Sequence, residues 1–153
     1  MNAVATNPNS AVVVTDLQAT LVELVDLSLL GKQAHWNVVG PNFRSIHLQL
    51  DEIVDAARLS SDRVAERLAT IGAVPDGRAP AAAASGLPEF PGGQVPVAET
   101  VQRISATVDA MSERLRERIL RIGDVDPVSQ DILISTADEL EKQAWMLRAQ
   151  LDR

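Results

Sequence analysis

Four long stretches of the chain repeat apolar residues at three- and four-residue spacing, the period of a helix with a buried face. The first carries Leu17, Leu21, Leu24, Val25, Leu27, Leu29 and Leu30 behind Thr15 and Asp16, either of which can cap a helix running to about Val39. Its apolar positions cover more than one stripe, and a helix apolar on several sides needs cover on several sides, which points to an oligomer. The second, about 43–71, repeats Ile46, Leu50, Ile53, Ala57, Val64, Leu68 and Ile71. The third, about 97–122, repeats Val97, Val101, Ile104, Val108, Met111, Leu115 and Ile122, and Gly123 is expected to end it. Asp126 then caps a fourth helix with Pro127 at its first position, followed by Leu133, Ala137, Leu140, Ala144, Leu147 and Leu151.

The connections complete the plan. Gly40-Pro41 makes a short turn between the first two helices. Residues 72–96 are rich in proline and glycine and form a long crossover, in which the alanine run 81–84 can make one short extra helix. No strand pattern and no internal repeat competes. Four long helices, two short turns and one long crossover between the second and third helices describe an all-α, ferritin-like four-helix bundle over residues 15–153. Residues 1–14 hold no charged side chain and read as a flexible tail, with Ala11 to Val14 as an apolar strip able to dock.

Composition narrows the function. At 153 residues the chain is one domain able to bury a real core. It has no cysteine, so disulfides, thiolate metal sites and cysteine nucleophiles are excluded. A net charge of −7 argues against general attraction to nucleic acid. No apolar run approaches the roughly 20 residues that span a bilayer. No signal peptide is read at the N-terminus, so a cytoplasmic location is expected.

Candidate chemistry is concentrated between Lys32 and Arg67, which hold both histidines, His35 and His47. On the second helix His47 and Asp51 are four residues apart, as are Asp62 and Glu66, so each pair shares a face. Asp62 lies almost directly along the helix from Asp51, but about 16 Å away, whereas metal–ligand bonds are about 2.0–2.6 Å. The two pairs cannot share an ion within one chain. Two antiparallel copies of the helix, crossing near Ala56 and Ala57, remove the conflict: His47 and Asp51 of one then face Asp62 and Glu66 of the other. Such an isologous pairing builds the site twice. His35 joins from the first helix, as far before the Gly40-Pro41 turn as His47 lies after it.

The motifs H-W-N-V-x-G, F-x-x-x-H-x-x-x-D and D-x-x-A-E-R resemble those of the Dps proteins (DNA protection during starvation), the mini-ferritins of the ferritin-like superfamily. His35, Trp36, Asn37, Gly40, Phe43, His47, Asp51, Asp62, Ala65, Glu66 and Arg67 carry the likeness, which extends over nearly the whole chain. The resemblance implies a hollow dodecamer. It implies metal sites at the two-fold interfaces, with His35, His47 and Asp51 from one subunit and Asp62 and Glu66 from its partner. It further implies oxidation of Fe(II), preferably by hydrogen peroxide, storage of Fe(III) mineral and protection from oxidative damage. Imidazoles and carboxylates also suit Zn, Mn or Co, so the ligand set alone does not select iron. Lys32 matches a position credited with proton or metal handling, and is equally a salt-bridged lysine. Trp36 could supply an electron, and is equally an aromatic interface anchor.

Other residues have plainer roles. Asp55 continues the His47–Asp51 stripe and is expected to pair with Arg58. The resemblance implies acidic three-fold pores built near Asp124, Asp126 and Asp131; Asp131 is the preferred candidate, and Asp126 reads first as a helix cap. The run Glu113-Arg114, Arg116-Glu117-Arg118 reads as a solvated face. Met111, Met146 and Trp145 read as core or interface. The Glu-x-x-His motif of larger ferritins is absent, since Lys32 and Arg44 stand three residues before the histidines. Many DNA-binding relatives use tails rich in Lys and Arg, which these termini lack. Twelve chains at −7 would carry about −84 (12 × −7). DNA binding is therefore doubted, and a DNA-compacting protein or a catalytically silent metal cage are the alternatives.

Overall fold

The four apolar periods become four long helices in the computed structural model, which describes residues 8–151. In chain order these are α1 (Pro8–Asn37), β1 (Val38–Val39), α2 (Phe43–Thr70), α3 (Ala79–Ala83), β2 (Val95–Pro96), α4 (Val97–Ile122) and α5 (Pro127–Arg148). α1 packs along α2 and α4 along α5 as two hairpins, and α2–α5 and α1–α4 contacts close the bundle. The facing sides meet in one core, with Leu17, Leu24, Leu27, Ile53, Met111, Leu115, Leu133 and Leu140 fully buried.

Two boundaries differ from the sequence reading. α1 begins at Pro8, so neither Thr15 nor Asp16 caps it. Thr15 donates to the carbonyl of Ala11 inside the helix, Asp16 pairs with Arg121, and Val13 is buried. The expected tail therefore covers seven residues outside the described range and a helical segment within it. α1 also stops at Asn37, because Val38–Val39 pair in parallel with Val95–Pro96. That two-residue ladder brings the crossover back to the first turn, and its segments are too short for any alternation to be read. α4 does end at Ile122 with Gly123 as its C-cap, at φ −59, an ordinary helical value. It provides room: a Cβ there would lie 2.4 Å from the Gln130 amide nitrogen, which donates to the Ile119 carbonyl at the end of α4.

The charged run on α4 is the largest correction. Arg118 is buried, and its guanidinium donates to both oxygens of buried Glu23 on α1, at 2.6 and 2.9 Å. Arg114 donates to the same carboxylate at 2.9 Å, and Arg118 also reaches Thr20. One turn further on, Arg121 grips Asp16 with two bonds of 2.9 Å. Arg116, by contrast, does lie at the surface, paired with Glu141. An alternating-charge run looks the same in sequence whether it faces water or a neighbouring helix with matching acids.

Candidate metal centre

The turn between α1 and α2 sets the geometry. Gly40 has φ +114 and Asn42 φ 61, left-handed values that glycine and asparagine tolerate best, and the Phe43 amide closes the turn on the Gly40 carbonyl at 3.1 Å. The two helices then run back along each other, and the histidines meet. Their rings stack with centroids 3.6 Å apart and planes 21° from parallel.

Each imidazole is tied to the other's backbone. His35 Nδ1 lies 2.7 Å from the His47 carbonyl, and His47 Nδ1 lies 2.8 Å from the His35 carbonyl. A carbonyl only accepts, so in each neutral ring Nδ1 carries the hydrogen and donates it. The lone pair of both rings is left on Nε2, the form in which histidine ligates a metal, with a backbone partner orienting the ring. His47 at the same time satisfies a carbonyl of the last turn of α1, which has no partner further along the helix.

Asp51 lies beside the pair, on the Nδ1 side of His35. Its Oδ1 lies 3.4 Å from His35 Nδ1 and pairs with Lys32 Nζ. The hydrogen bond from Lys32 holds the Asp51 carboxyl below the usual carboxylate range. Lys32 thus occupies Asp51 as its counter-cation, and an arriving metal ion has to compete with it. Trp36, next to His35, is 69% exposed.

Asp62 and Glu66 lie further along the outer face of α2 and are exposed. Among the described residues neither forms an ion pair. Nor does any group of three His, Asp or Glu residues within one copy come together to hold a cation. Large apolar side chains, Leu48 and Leu59, are exposed on the same helix. Of the two alanines expected at a crossing, Ala57 points into its own core, and only Ala56 is partly open. Asp55 and Arg58 are both exposed, and the pairing expected of them is absent among the described residues.

The proposed pore acids divide. Asp126 caps α5, accepting from the amides of Val128 and Ser129, and holds Arg67 of α2 through two bonds of 2.8 and 2.7 Å. Burial alone would raise its pKa; the Ser129 hydroxyl, Arg67 and the Ser129 amide overcome this and lower it. Asp124 and Asp131 are exposed. Met111 is core, Met146 partly buried and Trp145 exposed. The clamp of Arg67 on Asp126 and the reciprocal histidine bonds were not foreseen, since both join residues whose separation carries no helical period.

Such a bundle, with its long crossover and a histidine–carboxylate hairpin, defines the ferritin-like class, and the sequence model of the ferritin-like domain matches residues 14–153. Among curated proteins, the DNA protection during starvation protein of Mycolicibacterium smegmatis is 40% identical over 141 residues, covering 89% of this chain and 75% of the relative. Among solved structures, a Dps of Deinococcus radiodurans superposes with a TM-score of 0.92 at 35% identity, over 95% of this chain and 89% of that one. A Dps of Microbacterium arborescens, solved in a high-iron form, gives 0.89 at 32% identity, over 96% and 97%. The chain belongs to the Dps family. No helix among the described residues is long and apolar enough to cross a membrane.

Proposed function

We propose that this protein is a mini-ferritin that binds Fe(II) at sites shared between two-fold-related copies, oxidises it and stores Fe(III) mineral in a hollow shell of twelve. The observation that carries this reading is the histidine pair. Two backbone bonds fix both rings in the metal-ligating form beside an ionised Asp51. Asp62 and Glu66 lie on α2 without an ion-pair partner among the described residues, too far along it to serve the same copy. The high-iron relative supports iron as the metal, with Zn, Mn or Co as substitutes.

Here iron is the substrate. His35, His47 and Asp51 bind it from one side, and Asp62 and Glu66 of a second copy from the other. With hydrogen peroxide, the preferred oxidant, two Fe(II) each give one electron. The O–O bond breaks, two protons are taken up, and two Fe(III) and two waters result, so no hydroxyl radical leaves. Lys32, once displaced from Asp51, handles a proton, and Trp36 supplies the second electron where peroxide meets only one Fe(II), so that the O–O bond still gives two waters and the indole is left as a radical. Both assignments are open to Lys32→Met and Trp36→Phe variants, whose oxidation kinetics would separate them from a plain salt bridge and an interface anchor.

The test is anaerobic Fe(II) loading followed by peroxide, with Fe(III) absorbance recorded for wild type and for Asp62→Ala, Glu66→Ala. Wild type is expected to oxidise about two Fe(II) per peroxide and the double variant to be at least about tenfold slower while still assembling. Equal rates, matching free iron in buffer, would overturn the reading and favour a silent cage. A chain charge of −7 further supports a protein that does not retain DNA. Metal-free protein is expected to leave plasmid mobility unchanged at roughly physiological salt, about 150 mM, and a retarded plasmid would restore the DNA-compacting alternative.

A further inference from the structure

The histidine pair depends on how close α1 and α2 approach, and one residue controls that approach. Gly31 lies one turn before His35 on α1 and is buried. A Cβ placed on it would lie 2.7 Å from the γ2 methyl of Val54 on α2. Comfortable carbon–carbon contact begins near 3.5 Å, so an added methyl lacks about 1 Å of room. Val54 cannot easily yield. It is fully buried, and a β-branched side chain in a helix has one strongly preferred rotamer. The φ of Gly31 is not in the left-handed region, so its lack of a side chain, and not its backbone freedom, is what the site uses.

We propose that Gly31 is a positioning residue for the histidine pair: by letting α1 and α2 close on Val54, it sets the separation at which His35 and His47 exchange their backbone hydrogen bonds. The tolerances support this. The two bonds measure 2.7 and 2.8 Å, and N–H···O bonds weaken beyond about 3.2 Å. A local separation of about 1 Å, one turn from His35, exceeds that margin. With a bond lost, the ring is free to rotate or change tautomer, and Nε2 is no longer presented to a metal. The Lys32–Asp51 pair sits in the same seam, between the glycine contact and the histidines. The consequence for metal affinity rests on the metal reading above; the consequence for the rings does not.

The experiment compares wild type, Gly31→Ala, Val54→Ala and the double variant as metal-free assembled protein. Imidazole 15N shifts report the tautomer of each ring, and Co(II) titration reports affinity through its visible absorption. Wild type is expected to show both rings with Nδ1 protonated and Nε2 free. Gly31→Ala should lose that signature in at least one ring and bind Co(II) about 10–100-fold more weakly. Alanine is the better helix former, so helix propensity cannot cause this loss. Val54→Ala should unfold more easily, having lost core methyls, yet keep both tautomers. The double variant should regain the tautomers and come within about threefold of wild-type affinity, the residual allowed for incomplete repacking. Unaltered ring signals in Gly31→Ala, or no recovery of them in the double variant, would overturn the proposal. If wild type takes up no Co(II), the metal reading fails, and the ring signals still decide the role of Gly31.

Discussion

The α1–α4 seam and the outer face of α2 contain the same kinds of residue and use them in opposite ways. At the seam two acids are consumed: Glu23 takes three bonds from two arginines, and Asp16 takes two from a third. On α2, Asp62 and Glu66 stand exposed without a partner among the described residues, and both histidines keep a lone pair in reserve. A paired, buried carboxylate has its bonding capacity spent on the fold. An unpaired one on an exposed face, next to exposed Leu48 and Leu59, is available to something that arrives later. Removing acids from the two regions should therefore have opposite signatures.

The largest stability effect is expected at the seam. Glu23→Ala strands Arg118 at 8% exposure without its carboxylate, which costs about 3–5 kcal/mol by denaturant unfolding. Glu23→Leu combined with Arg118→Leu should recover most of that loss, since a buried ion pair can be replaced by apolar packing at little cost. A double variant as unstable as the single would show that the seam matters for more than the removal of a stranded charge.

Asp126 lies between the two regimes: it caps α5 and holds Arg67 near the end of α2. Asparagine can still cap α5 but cannot pair with Arg67, so Asp126→Asn should cost on the order of 1–2 kcal/mol at neutral pH. Against burial, which raises it, its folded pKa is depressed below 3.8, the ordinary aspartate value, by the Ser129 and Arg67 hydrogen bonds. The corresponding stability is present above that value and is lost as pH falls through the folded pKa. Thermal unfolding between pH 5 and roughly 2 should therefore fall less steeply in Asp126→Asn than in wild type. Identical slopes would remove Asp126 from the acid response.

The smallest stability effect is expected from Asp62→Ala, Glu66→Ala, within about 0.5 kcal/mol of wild type, as for exposed residues without partners. Iron oxidation should nevertheless suffer most in this variant. A large loss of stability there would break the comparison, because it would mean that these acids hold structure too.

The hairpins, the short helix in the crossover and the cap at Asp126 could be read from the chain, because each depends on local period or local turn chemistry: Ile46 through Leu68 repeat at helical spacing, and Asp126-Pro127 is a start signal in itself. The pairing of His47 with Asp51, and of Asp62 with Glu66, on shared faces was legible for the same reason, since residues four apart must share a face wherever α2 goes. The sequence by itself also required that Asp62 and Glu66 cannot share an ion with His47 and Asp51 of the same copy, because rise per residue is fixed by the backbone. Tertiary structure alone decided the rest. Whether Arg118 meets water or Glu23, whether Ala57 faces a partner or its own core, whether His35 and His47 lock each other's tautomer, and whether Gly31 has room for a methyl all depend on how closely separate helices approach. That distance is set by the packing of many side chains at once, and no spacing along one helix encodes it.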